Sequence, residues 1–218
     1  MSLTAKENTT ERKKVDPVTE GLHNAVCYLI VDAGTHYDQN YDKMKHEIYI
    51  GWEIPKERIK VEHDGKEEDK PRVISKSYTL SLNEKANLRK DLEAWRGKRF
   101  TEEELDGFDL KNVLGAPAML QVMHKKGKAD PSRIYANVEN VLPLNEEVKA
   151  ENEHIWFSLE EGKEIPEGVY GWMRDKIEES EEMKGEPKQS DAQYDQDGKE
   201  IEFRESAGDS PEDENLPF

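Results

Sequence analysis

Two kinds of side chain in this sequence can do chemistry on a polyanion, and they interleave along its middle. The cations are Lys76, Arg89, Lys90, Arg96, Lys98 and Arg99, then Lys125, Lys126, Lys128 and Arg133; the aromatics are Tyr49, Trp52, Tyr78 and Tyr135. A single nucleic-acid strand needs both, cations to track its phosphates and flat rings on which its bases stack. Each has a plainer reading. An aromatic on a strand more often fills a core than offers a platform, and a basic loop is often merely solvated. Tyr49 and Trp52 are three residues apart, so they leave a regular strand on opposite faces, and at most one serves as a platform unless a bulge intervenes.

Catalytic patterns are missing by comparison. There is no Gly-rich phosphate loop, no His-Glu-x-x-His and no cysteine pair. The six histidines, His23, His36, His46, His63, His124 and His154, are scattered without ligand spacing and read as surface or strand-end residues. Asp32-Ala33-Gly34-Thr35 shares Asp-x-Gly-Thr with aspartic proteases and actin-like ATPases, but nothing else from either accompanies it, so it reads as a strand end and a turn. The pair Glu67-Glu68 reads as solvated. Cys27 is the single cysteine, which excludes an intrachain disulfide, and its apolar surroundings predict a buried, inert thiol. The expectation is a non-enzyme with no metal and no cofactor.

Composition narrows the class further. Of 218 residues 34% are hydrophobic, against ~45–50% in an ordinary globular domain, so part of the chain must be solvated. No apolar run approaches the ~18 residues of a membrane helix, and residues 1–19 are too polar for a secretory signal. A cytoplasmic protein without a membrane contact is expected. The net charge of −17 would by itself argue against nucleic acid, but it is segregated. The last 74 residues carry −16 and the first 144 only −1. A near-neutral body therefore bears an acidic tail, a common form of interaction segment.

Hydrophobic patterning supplies the elements that must position the candidates. Residues 25–32, 46–54, 73–80, 117–124 and 133–144 read as strands, with a short extra strand at 58–61 before the Asp64-Gly65 turn signal. Leu88, Leu92 and Trp95 share one face of a helix beginning near Asn83 and stopped by Gly97, with Trp95 packed between helix and barrel. Thr101 and Glu104 have capping-box spacing and open a second short helix. Three strands, a helical insert and two strands is the order of an OB-fold, a five-stranded Greek-key β-barrel that binds oligonucleotides on strands 2 and 3 and with its 1–2 and 4–5 loops. Another small barrel or sandwich is the alternative.

The domain organisation expected is a flexible N-terminus (1–20), the OB-like domain (21–145), a docked appendage (146–183) and a disordered acidic tail (184–218). The appendage retains Ile155, Trp156, Phe157, Leu159, Val169 and Tyr170, and its end has Trp172, Met173, Lys176 and Ile177 spaced like one helix face. The tail has too little to bury to offset the entropy of ordering. It closes on Asp213-Glu214-Asn215-Leu216-Pro217-Phe218, where the acids steer toward a basic surface, Pro217 stiffens the approach, and Phe218 joins an apolar ring to a free carboxylate.

That ending resembles the acidic tip of bacterial single-stranded DNA-binding proteins, although Asn215 interrupts the run of acids. A second resemblance rests on Lys76-Ser77-Tyr78-Thr79-Leu80-Ser81-Leu82, Leu88-Arg89-Lys90-Asp91-Leu92, Trp95-Arg96-Gly97, Phe100-Thr101, Phe108-Asp109-Leu110 and Leu114-Gly115. These look like a family of phage replication-module proteins, over roughly residues 21–183. Together the resemblances imply single-stranded DNA as a ligand and replication or recombination enzymes (polymerase, helicase, primase or nuclease) as partners of Asp213, Glu214, Leu216, Pro217 and Phe218. They imply action in the cytoplasm of a phage host and leave homo-oligomerisation open. Two other classes compete: an acidic DNA mimic that binds a host protein, and a nucleic-acid enzyme for which Asp32 or Glu53 would be the first residues to probe.

Overall fold

A computed structural model describes residues 16–63, 66–127 and 130–184, with the side chains of residues 62, 63 and 66 left aside. The elements run β1 (Gly21–Asp38), β2 (Lys43–His63), β3 (Lys66–Thr79), α1 (Asn87–Arg96), α2 (Glu102–Asp106), a 3-10 turn (Leu110–Val113), β4 (Pro117–Lys126), β5 (Ile134–Pro143), β6 (Ile155–Phe157), α3 (Gly171–Glu178) and α4 (Glu181–Lys184). The fold is mainly β and OB-like, as the strand–helix–strand order predicts.

The strand order is β3-β2-β1-β4-β5, all antiparallel. One strand, β1, serves both halves: residues 21–26 pair with β4 and residues 26–38 pair with β2, with irregularities at Cys27/Leu29 and Asp32/Gly34. Such bulges bend and twist a strand, which lets one ribbon turn a barrel corner. The outer strands β3 and β5 then approach each other and close the barrel along a seam. Where β1 leaves β4, its freed edge is taken by β6, which pairs in parallel at Leu29–Val31. Buried backbone groups need partners, and three residues of β6 supply them.

Alternation fills the interior. Ile48, Ile50, Trp52 and Ile54 of β2 meet Cys27 and Ile30 of β1, Leu120 and Val122 of β4, and Leu88, Leu92 and Trp95 of α1. Trp95 lies between helix and barrel as expected, its Nε1 donating to the Pro117 carbonyl at 2.7 Å. Gly97 ends α1 in the left-handed region (φ 66°), a conformation that favours glycine. The Thr101–Glu104 capping box forms in both directions. α1 begins four residues later than its periodicity suggests, because residues 83–86 close a turn first.

β2 and β3 are longer than their apolar cores. The segment beyond Ile54, expected to hold one short strand at 58–61, is a polar two-stranded extension entered through an irregularity at Ile54/Arg58. Diagonal ion pairs such as Arg58–Asp69 and Lys60–Glu67 span it; Ile59 and Val61 mark the β2 half, but residues 66–72 of β3 have no apolar alternation to mark a strand in sequence.

The N-terminal boundary differs from expectation. Residues 16–20, placed in a flexible segment, lie on the barrel: Val18 is buried, its carbonyl accepts from His124 Nε2, and Thr19 bonds Glu57. Residues 1–15 lie outside the described residues. At the other end Lys184, assigned to the disordered tail, closes α4. The helix expected over 169–183 is two pieces, α3 and α4, separated at Glu179–Ser180.

Residues 146–184 cover the outer face of β1 and β2. Phe157, Val169, Met173 and Ile177 form a second apolar cluster with Tyr28, Leu29 and Val31. Buried Glu53 anchors this layer, accepting from Glu151 N (2.7 Å), Asn152 N (2.9 Å) and Asn152 Nδ2 (2.6 Å). Asp32 and Glu182 anchor the far end. Asp32 accepts from Gly34 N, His46 Nε2 and Leu159 N, while Glu182 accepts from the Thr35 amide and hydroxyl.

Candidate nucleic-acid interface

The barrel seam holds a concavity of about 690 Å³ between β3, α1 and β5, lined also by Lys125 of β4. Its cations are Lys76, Lys90 and Lys125 and its acids are Asp91 and Glu139. Period-2 alternation places Ile74, Lys76 and Tyr78 on the interior face of β3. Ile74 and Tyr78 enter the core, and Lys76 reaches the seam, donating from Nζ to Asp91 Oδ2 (2.7 Å) and the Glu139 carbonyl (3.3 Å). Helical spacing sets Lys90 and Asp91 beside the buried stripe of Leu88 and Leu92.

These cations differ in availability. Lys125 pairs with Glu139 at 2.7 Å, but both are about half exposed, and water and salt screen such a pair. The Lys125 bond holds the Glu139 carboxyl below the ordinary carboxylate range. Lys90 is exposed without an ion pair among the described residues. Lys76 is largely covered and shares Asp91 with the Tyr78 hydroxyl, which donates at 2.7 Å. An incoming phosphate can therefore displace Glu139 from Lys125 and meet Lys90 directly, while Lys76 is a fixed charge at the floor.

The other candidates disperse. Trp52 is fully buried in the barrel and 5.8 Å from Trp95, so it presents no face to a base. Tyr78 is buried too, and burial with Asp91 beside it drives its hydroxyl pKa far up; it braces Lys76 and is not a platform. Tyr49 emerges on the outer face, where Trp172 of α3 covers it at 5.0 Å in a perpendicular contact. Arg89 bonds Glu93 and the Leu82 carbonyl, which braces the start of α1. Arg96 rests against both Phe100 and Phe108, its Cζ 4.5 and 4.7 Å from the ring centroids, and is ion-paired to Glu104; it is a packing residue. Lys98 pairs with the same Glu104, and it and Arg99 project from the α1–α2 corner outside the seam.

At the β4–β5 loop, Lys126 is exposed, Arg133 pairs with Asp130, and Tyr135 is half exposed. The Tyr135 ring lies so close to Gly127 that an added Cβ would sit 2.9 Å from its Cε2, so the ring packs on the loop backbone. Lys128 and the tip residues Asp213, Glu214, Leu216, Pro217 and Phe218 lie outside the described residues.

The structure also exposes aromatics outside the expected strand positions. Tyr37, Tyr41 and Met44 stand out at the β1–β2 hairpin, with Lys43 Nζ 5.7 Å from the Tyr41 ring centroid. The sequence signal was two tyrosines four apart beside lysines in a loop. Trp172, grouped with the buried helix face, is 52% exposed, while Met173 and Ile177 carry the burial.

The features that invited an enzymatic reading have structural duties. Asp32 and Glu53 spend their carboxylate oxygens on backbone amides and on His46 or Asn152. Burial pushes the Cys27 thiol up to about 12. Among the described residues no group of three His, Cys, Asp or Glu side chains is arranged to hold a metal ion, and no helix is long and apolar enough to cross a membrane. No family model, curated protein or solved structure matches the chain.

Proposed function

We propose that this chain is a non-catalytic single-stranded DNA-binding protein of phage DNA replication and recombination, acting in the host cytoplasm. On this reading the OB-like barrel holds the strand along the β3–β5 seam, and the acidic C-terminal tip recruits partner enzymes. The observation that carries it is the convergence of Lys76, Lys90 and Lys125 on one open groove from three separate elements. OB-folds bind oligonucleotides beside the 4–5 loop, and Lys125 lies at the base of that loop. Residues 186–218, with 11 acidic and 3 basic side chains and so a net charge of −8, compete with DNA for such a groove.

The test is binding of a labelled single-stranded oligonucleotide across a salt series, with the full chain and a chain ending after Gly185, just beyond α4. Binding that falls steeply with salt is expected, as is tighter binding without the tail, most visibly at low salt. Lys90→Ala and Lys125→Ala should each lower the salt slope by about 0.7, the counterion share of one phosphate on a single strand. No binding by either chain refutes the proposal and favours the acidic-mimic class, in which the ligand is a protein.

A further inference from the structure

A second, smaller cleft of about 170 Å³ opens between α3 and β3, walled by Tyr28, Gly51, Val73, Ser75, Tyr170 and Trp172. Drug-sized ligands occupy roughly 300 Å³ or more, so this cleft suits a single planar ring. Ser75 lines both this cleft and the lysine groove. The two concavities thus meet across β3, with cations on one side and aromatic rings on the other.

Trp172 is held ready. Its indole meets the Tyr49 ring at 89° and 5.0 Å, yet half its surface faces solvent. Tyr170 is joined to Tyr28 by a 2.6 Å bond between hydroxyls, which fixes the adjoining wall. Gly51 lets Leu29 pack close beneath the cleft, since a Cβ there would lie 3.2 Å from Leu29 Cβ. Lys176 follows Trp172 by one helical turn and stands beside Glu47 at 3.6 Å, a cation within one nucleotide's reach of the ring.

We infer that the α3–β3 cleft is a base-stacking subsite for single-stranded DNA, with Trp172 as its platform, continuous with the lysine groove through Ser75. This rests on the nucleic-acid reading of the groove and deepens it. The appendage covers the outer face of β1 and β2, and the aromatic surface it presents in place of Tyr49 is Trp172. A strand whose phosphates follow Lys125, Lys90 and Lys76 crosses β3 at Ser75 and places a base against the indole.

The experiment titrates the full chain with oligothymidylate and follows both intrinsic tryptophan fluorescence and binding of a labelled strand. Trp52 and Trp95 are buried, and Trp156 lies outside the cleft under Lys111 with its Nε1 on Glu161, so the part of the quench that Trp172→Phe removes belongs to Trp172. The expected results are strong quenching in the parent, its loss in Trp172→Phe, and binding weakened by about 5- to 150-fold in Trp172→Ala, the range for one stacked base. Lys125→Ala should weaken binding yet keep the quench at saturation. If the parent binds but Trp172→Phe keeps the quench, or folded Trp172→Ala binds as tightly as the parent, the subsite is refuted and the groove stands. If the parent does not bind, both fall. Should Trp172→Ala fail to fold, the Trp172→Phe titration still decides.

Discussion

The contact between α4 and the barrel depends on a proton, and removing Glu182 tests how. The Glu182 carboxylate is 11% exposed and accepts from the Thr35 hydroxyl at 2.7 Å and the Thr35 amide at 2.8 Å. Its Oε1 lies 3.9 Å from His46 Nδ1, and His46 Nε2 is 2.6 Å from Asp32 Oδ1. Hydrogen bonds to a charged group are worth about 1.5–3 kcal/mol each, and water rehydrates Thr35 once α4 lifts, so Glu182→Ala should cost the local contact about 2 kcal/mol. That corresponds to roughly 30-fold faster exchange of the Thr35 amide, read by NMR as the ratio of variant to parent at one pH.

The pH dependence has a definite sign. Burial alone pulls the His46 pKa down, but the bond and charge of Asp32, with Glu182 beyond, outweigh it and raise the value above 6.5. The folded chain therefore holds that proton more tightly than the unfolded chain. His46 stabilises fully below about 6.5, and this contribution is lost as pH rises through its raised value. Burial pushes Asp32 and Glu182 up, but the hydrogen bonds they accept, from His46 and from Thr35 respectively, outweigh it and leave both lowered from 3.8 and 4.5. Their contribution is present above those values and lost as pH falls through the lowered ones. Protection of Thr35 should be greatest between about pH 4.5 and 6.5 and decline on the alkaline side, and His46→Gln should flatten that decline. Unchanged Thr35 exchange in Glu182→Ala, or an alkaline decline that survives His46→Gln, refutes the reasoning.

Two further substitutions probe the same architecture. Gly34→Ala combines a backbone φ of 78° with a Cβ only 2.4 Å from Ser180 Cβ, so it should dislodge α4 at a cost of about 2–4 kcal/mol and also abolish Thr35 protection; normal protection would place α4 elsewhere. Trp52→Ala should cost about 3–5 kcal/mol in urea denaturation as a core cavity, and a variant that melted like the parent but lost DNA affinity would return Trp52 to the interface.

Local order was legible in the sequence wherever burial imposes a period. Alternating residues in β2 and the Leu88–Leu92–Trp95 stripe mark their elements because each has one apolar face. Gly97 and the Thr101–Glu104 box mark helix ends because backbone geometry and unpaired amides restrict which residues fit there. The β3 half of the polar extension and the three-residue β6 were not legible, because backbone bonding carries the first and β6 is too short to show a period. Which side chains face a ligand was decided by tertiary structure alone. Trp52, Tyr78 and Arg96 are the right residue types for a nucleic-acid surface, yet barrel closure turned the first two inward and two phenylalanines enclosed the third. Lys76, Lys90 and Lys125 lie up to forty-nine residues apart, and only the meeting of β3, α1 and the β4–β5 hairpin brings them to one groove. Residue chemistry is a property of the chain; convergence and exposure depend on contacts between distant elements.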